Sequence, residues 1–270
     1  MALIDGPVNL DLPCFASSRI SDITRTASGT NRCAQSKSAA CEHGTLVAGI
    51  LTGSRESSPA ICPECTFLVC PIFSERETDA NGGPVSNPAD LAAAITEAVN
   101  LGARIVNLSC GILQCSLSGE KELDRAFTYA SKKQVLIFAA SGNQGAVGGS
   151  CITKHASVVP VISLDRAGRP AKESNLSASI GRRGLAAPGQ NVMSVGATGL
   201  PALFSGTSAA CAFATGAAAL LWSEFPRLPV WEIKAALVSV TRSRSIVPPA
   251  MNAWGAYQSL ESRFGNRKFA

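Results

Sequence analysis

The chain alternates between two hydrophobic periods. Short runs rich in apolar residues, MALI at 1–4, TFLVCPIF at 66–73, ARIVNLSC at 103–110, VLIFAA at 135–140 and VVPVISL at 158–164, show no polar face. Such runs predict strands buried on both sides. Between them, HGTLVAGILTG at 43–53, PADLAAAITEAVNLG at 88–102 and SGEKELDRAFTYASKKQ at 118–134 repeat their apolar positions at helical spacing. The second of these helices is well bounded, with Asn87 and Pro88 at its start and Gly102 at its end. Strand followed by helix, repeated, predicts an α/β fold: a doubly wound, mostly parallel central sheet with helices on both faces. No internal repeat or long linker interrupts it, so residues 1–270 are expected to form one domain, with surface loops at 54–59 and 75–86.

The longest apolar stretch, 209–222, is interrupted by Thr215 and Gly216 and is shorter than the roughly 20 residues a membrane span needs. It therefore predicts a buried helix. The opening MALIDGPVNLDLP reaches Asp5 without a basic start or an apolar signal core, so a cytoplasmic protein with no membrane partner is expected.

Composition narrows the classes further. Hydrophobic residues make up 46% of the chain and both charge signs are present, which excludes a disordered or fibrous protein. The net charge of +5 is spread along the sequence without aromatic interleaving, which argues against nucleic acid as a partner. Ten cysteines would suit an oxidising compartment, whereas cytosol keeps thiols reduced. Cys62 and Cys65 in CPEC have zinc-ribbon spacing, but no second such pair and no histidine partner follows, so a structural or loop-clamping role is expected instead of a metal. Cys14 and Cys41 flank the segment between Asp5 and His43, and a bridge between them is expected to act as a stabiliser.

In parallel sheets, functional residues gather where strands end. Asp5 closes the first strand, where a buried carboxylate is costly unless it accepts hydrogen bonds. His43, one of two histidines, opens a helix, and Ser208 in SGTSAA opens another, where free N–H groups favour negative charge. Together they offer a nucleophile, a base with a pKa suited to neutrality, and a carboxylate to fix the imidazole tautomer. Asn143 in SGNQG, just past a buried strand, could donate an amide N–H to an oxyanion beside the Ser208 N–H. Each residue also has a plain structural reading: Ser208 and His43 as cap residues, Asp5 as a turn former before Gly6 and Pro7. His155, in a loop before a strand, is expected to be structural or pocket-lining.

The chain order of LIDGPV, HGTLVAGI, AASGNQG and SGTSAA resembles the four signature segments of the subtilisin-like serine peptidases. IVNLSCG is similar to that family's substrate-pairing strand, and LAAPGQNVMSV to the segment before its nucleophile loop. The resemblance runs from Met1 to about Trp222, with a helix pair expected beyond. It implies that Asp5, His43 and Ser208 are catalytic and that Asn143 forms the oxyanion hole. It also implies that Ser109, Cys110 and Gly111 pair with an extended peptide, with Gln144, Ser150 and the loop 146–149 as the pocket wall. A narrower similarity, carried by LIDGPVNLDLPCF and LVCPIFSERETD, is to the proteases that mature cyanobactin-type ribosomal peptides.

Those relatives either cut a leader from a precursor peptide or cleave and macrocyclise its core, the latter using a helical insertion. Only 37 residues lie between Asp5 and His43 and no long helical insert follows, so leader cleavage is expected. A macrocyclase using the same triad and a silent peptide-binding module are the alternatives. Peptide or precursor peptide is thus the expected substrate, and docking to a peptide-modifying enzyme is left open. The chain departs from the family in having Gly6-Pro7 after the aspartate instead of a small hydroxyl residue and glycine, and in lacking the proline that usually follows the nucleophile loop. The resemblance begins almost at Asp5, so no prodomain is recognised. TGSRESSPAICPEC lacks the clustered oxygens of a calcium loop, and neither metal nor cofactor is expected.

Overall fold

A computed structural model describes residues 1–22, 33–56, 58–75, 86–109, 117–238 and 245–265. Its centre is a seven-stranded sheet: β1 (Ala2–Asp5), β2 (Ile20–Asp22), β3 (Phe67–Pro71), β4 (Ile105–Leu108), β5 (Leu136–Ala140), β6 (Val158–Leu164) and β7 (Leu185–Pro188), in the spatial order β2-β3-β1-β4-β5-β6-β7. Every pairing within it is parallel. Parallel strands need covered faces, and both faces are covered. On one side Leu3, Val69 and Phe138 pack with residues of α1 (Ala39–Thr52) and α5 (Thr207–Glu224). On the other, Ile4, Val106 and Ile137 pack with α2 (Pro88–Asn100) and α3 (Leu117–Lys132). The alternation of Leu3 and Ile4 between the two cores shows why the run MALI has no polar face. The fold is therefore the expected doubly wound α/β architecture.

Helix boundaries follow local chemistry. The Ser38 hydroxyl accepts from the Cys41 N–H at 3.1 Å and starts α1 four residues before His43, so His43 sits one turn inside the helix and not at its opening. Asn87 caps α2 by accepting from the Asp90 N–H at 2.8 Å, and Gly102, with φ at +85°, ends it. The helix α4 (Ala178–Arg183) precedes β7, and an antiparallel hairpin of β8 (Val192–Val195) and β9 (Pro201–Phe204) leads into α5. The expected C-terminal pair is present as α6 (Val230–Leu237) and α7 (Ala253–Phe264), joined by Arg263 donating to Glu232 at 2.9 Å.

From β1 the chain passes out to the edge strand β2, steps back to β3 beside β1, and then crosses to β4 on the other side of β1. The order reverses between β1 and β4, and at that reversal the loops leave in opposite directions and open a crevice beyond the carboxyl ends of the strands. Asp5 ends β1 and Ser109 follows β4, so both stand at its rim. The other helices with roles here are the two packed against one another on the first face: α1 delivers His43, and α5 begins one residue before Ser208.

Candidate active site

The carboxylate and imidazole meet because two backbones nearly touch. A Cβ at Gly6 would lie 2.0 Å from the Ala40 carbonyl oxygen, and one at Gly44 would lie 2.5 Å from the Gly6 oxygen. Side chains at either position would force β1 and α1 apart. Position 6 therefore has no room for the hydroxyl residue expected after the aspartate in most relatives, which gives a steric reason for the Gly-Pro departure.

Asp5 is fully buried, and its Oδ1 accepts from the Gly6 N–H and from His43 Nδ1, both at 2.6 Å. Among the described protein groups, Oδ2 has no hydrogen-bond partner. With Nδ1 donating to the carboxylate, Nε2 is the basic nitrogen, and it stands 3.1 Å from Ser208 Oγ. The Ser208 hydroxyl also lies 3.3 Å from the Ser109 carbonyl oxygen. Burial alone would lower the pKa of His43, but the charge of Asp5 and the hydrogen bond to it outweigh burial and hold the imidazole above its ordinary value. Phe204 and Phe73 meet the ring edge-on, with centroids at 5.4 and 6.5 Å. A proton can thus pass from a hydroxyl to an oriented imidazole whose charged form is stabilised, which is the requirement for activating a serine.

Asn143 is exposed and follows β5 through Ser141 and Gly142. Its Oδ1 accepts from the Thr207 N–H at 2.9 Å and from the Thr207 hydroxyl at 3.0 Å. Two donors on one oxygen fix the amide orientation, so Nδ2 is the end left to donate elsewhere. Thr207 in turn accepts from the Gly142 N–H at 3.2 Å, tying the loop to the first residue of α5.

Of the remaining predicted residues, Ser109 presents its backbone to Ser208 Oγ, while its own hydroxyl turns inward and donates to Asn107 Oδ1 at 2.6 Å. Asn107 is itself anchored by donating to Thr215 of α5 at 2.9 Å. Cys110 and Gly111 lie outside the described residues. Gln144 is exposed on the loop after Asn143, and the Ser150 hydroxyl accepts from the Thr153 N–H at 3.1 Å, closing a turn. His155 is held by structural contacts. Its ring lies 5.0 Å from that of Phe127, Nδ1 accepts from the Ser157 N–H at 3.2 Å, and Nε2 is 3.4 Å from Asp124 of α3.

One buried residue with no sequence signal organises the loop that carries Asn143. Asn175 accepts from the N–H groups of Gln144 and Ala146 at 3.1 and 2.9 Å and donates to Gln144 Oε1 at 2.7 Å. Its own N–H donates to the Gly142 carbonyl at 2.9 Å. Cys14 and Cys41, which flank the segment between Asp5 and His43, do not pair with one another. Cys41 pairs with Cys33, only eight residues away and on the segment leading into α1, while Cys14, Cys62, Cys65, Cys70 and Cys211 keep thiols. Cys151 is disulfide-bonded too.

Comparison with known proteins places this geometry. A sequence model of the subtilase family matches residues 2–266. Mycosin-3 of Mycobacterium tuberculosis is 30% identical over 248 aligned residues, covering 71% of this chain and 52% of its own length. A thermostable alkaline protease of Halalkalibacterium halodurans is 30% identical over 186 residues, covering 68% of this chain and 48% of its own. The chain spans about half the length of these curated relatives. Among solved structures, a serine-to-alanine mutant of the protease domain of PatA superposes with a TM-score of 0.86 at 30% identity, covering 97% of this chain and 94% of that one. The prenylagaramide maturation protease PagA superposes with a TM-score of 0.80 at 28% identity, with 96% and 92% covered.

Proposed function

The chain belongs to the subtilase family, and on that premise we propose that Asp5, His43 and Ser208 are the triad of a serine endopeptidase that trims ribosomally made precursor peptides. The observation that carries the enzymatic part is the continuous path from Asp5 Oδ1 through the His43 ring to Ser208 Oγ, with contacts of 2.6 and 3.1 Å. His43 Nε2 takes the hydroxyl proton as Ser208 Oγ attacks the scissile carbonyl carbon. Asp5 holds the ring and steadies the imidazolium, and His43 then returns the proton to the leaving amine. Asn143 Nδ2 and the Ser208 N–H receive the oxyanion, donors already oriented before any charge develops.

The substrate lies extended beside Ser109, Cys110 and Gly111 and pairs through its backbone, a form of strand addition. Selectivity then rests with pocket side chains, for which Gln144, Ser150 and the loop 146–149 form the wall. The precursor-peptide part is supported by the likeness to PatA and to a protein described as a prenylagaramide maturation protease. Delivery of such a substrate by a docked peptide-modifying enzyme fits the same reading.

The test is mass spectrometry of a precursor peptide incubated with the protein. A leader and a linear core whose masses sum to substrate plus water support the proposal, and Ser208→Ala should yield neither. A core lacking the mass of water would identify a macrocyclase, and no turnover together with stoichiometric peptide binding would identify a binding module.

A further inference from the structure

The CPEC segment lies outside the proposed peptidase chemistry, yet it is built into the packing of the two helices that carry that chemistry. It belongs to the loop between α1 and β3. The N–H groups of Ile61 and Cys62 donate to the carbonyls of Ile50 and Leu51 at 3.0 and 2.8 Å, fastening the loop to the end of α1. Ile61 fills the space where position 216 of α5 has no side chain, since a Cβ there would lie 2.6 Å from Ile61 Cγ2. The Cys65 N–H donates to the Cys62 carbonyl at 3.1 Å, closing a tight turn over Pro63 and Glu64. The two side chains lie close enough for each to govern the other's proton. They differ in access, Cys62 being 2% exposed and Cys65 partly open to solvent.

We infer that Cys62 and Cys65 are a redox-active dithiol, a site of reversible disulfide formation in the loop that packs the base-bearing helix against the nucleophile-bearing one. A metal is the other use of this spacing, but it needs further ligands. Among the described residues, the cluster of three metal-capable side chains within 4.8 Å of one another is Cys33, Cys41 and Glu75, and its two sulfurs are already a disulfide. The chemistry of the pair is asymmetric as well. The neighbouring Cys62 side chain, and after it the Met1 ammonium, lower Cys65 to about 7 against the opposing effect of burial, while Cys62 is pushed up. The exposed member is thus the thiolate and the buried member keeps its proton, an attacking and a resolving cysteine.

The oxidant is a low-molecular-weight disulfide such as oxidised glutathione. Cys65 thiolate attacks one of its sulfurs; the glutathione S–S bond breaks, a protein–glutathione mixed disulfide forms, and one glutathione thiolate leaves. Cys62 then loses its proton to solvent and attacks the Cys65 sulfur, expelling the second glutathione thiolate. The dithiol is oxidised by two electrons, and one glutathione disulfide becomes two thiols.

Peptide mapping of the full chain after incubation with oxidised glutathione should find a Cys62–Cys65 bridge. In Cys62→Ala the mixed disulfide on Cys65 should accumulate, because the resolving thiol of the pair is gone. Iodoacetamide labelling of the untreated protein is a second readout that requires no variant. Cys65 should be alkylated at neutral pH about tenfold faster than Cys14, whose thiol burial raises. Its rate should reach half-maximum near pH 7, and Cys62→Ala should move that midpoint upward. Oxidation mapped to another pair, equal labelling of Cys14 and Cys65, or a midpoint insensitive to Cys62→Ala would each overturn the assignment.

Discussion

Asn143 and Thr207 are joined by two hydrogen bonds that converge on one oxygen, the Thr207 N–H and hydroxyl both donating to Asn143 Oδ1. The amide that would stabilise the oxyanion is therefore oriented by the residue next to the nucleophile. Asn143→Leu is expected to lower kcat by roughly 10²–10³-fold with little change in KM, since the donor acts on the transition state. Thr207→Val keeps the N–H bond but loses the hydroxyl one and the acceptor for the Gly142 N–H, so a smaller fall of about fivefold to tenfold is expected. In the Asn143→Leu background it should add only the smaller effect of losing the Gly142 N–H contact. Steady-state kinetics on the two single variants and the double variant check this, and a KM effect without a kcat effect would make Asn143 a substrate-binding residue.

Ser208→Ala should abolish turnover and labelling by a fluorophosphonate probe while leaving the melting temperature nearly unchanged, because it removes one partly shared hydroxyl. Retained labelling would place the nucleophile elsewhere.

The raised pKa of His43 predicts a pH dependence with a definite sign. Catalysis needs the neutral base, so kcat/KM should rise with pH through the elevated folded value. For stability the same shift works in the opposite direction. The folded imidazole binds its proton more tightly than the unfolded one, so the stabilisation is complete below the unfolded value of about 6.5 and fades as pH rises through the folded value. Asp5→Asn removes the charge that raises the pKa and leaves burial, which lowers it. Its His43 titration, followed by NMR, should move below the ordinary value, and kcat should fall by about 10⁴-fold because the ring loses its preferred tautomer. An unmoved titration would mean that Asp5 does not control His43.

Gly6→Ser would restore the hydroxyl expected of most relatives. It should nevertheless destabilise the protein by about 3 kcal/mol or more, since the new Cβ meets backbone rather than a movable side chain. Chemical denaturation would measure the loss, and a stable, fully active variant would show that β1 and α1 can separate without disturbing the site.

The Cys33–Cys41 bridge closes a short loop at the entrance to α1. Chain entropy gives it about 2–3 kcal/mol, so Cys33→Ser should melt several degrees lower. Activity at moderate temperature should persist, because Glu75 independently accepts from the N–H groups of Ala34 and Gln35 and from the Ser38 hydroxyl, each at 3.0 Å. Loss of activity with an intact fold would make the bridge part of the working site.

What could be foreseen from sequence divides along physical lines. β1, β3, β4, β5 and β6 are legible because both faces are buried, and α2 because Asn87 and Gly102 mark its ends. β2 has only three residues, and β8 and β9 form an edge hairpin whose Met193 and Leu203 are exposed, so neither period stands out. Asp5, His43, Asn143 and Ser208 carry recognisable motifs. Asn175 does not, because its role arises from contacts with Gln144 and Ala146, about thirty residues away in sequence, and no local pattern encodes such contacts. The Cys33–Cys41 pairing is hidden for a related reason: spacing along the chain does not show that Cys33 comes back beside the start of α1.

The packing of α1 against α5 has a consequence for how such an enzyme could change. His43 and Ser208 stand on helices embedded in one face of the core, and Ile61 wedges between those helices through the space at Gly216. Their separation is thus set by the interior, whereas the residues proposed to choose the substrate sit on loops at the rim. Exchange of the loop 144–150 should redirect which peptides are cut at little thermodynamic expense, while substitutions deep between α1 and α5, far from any peptide, should detune the chemistry for every substrate alike.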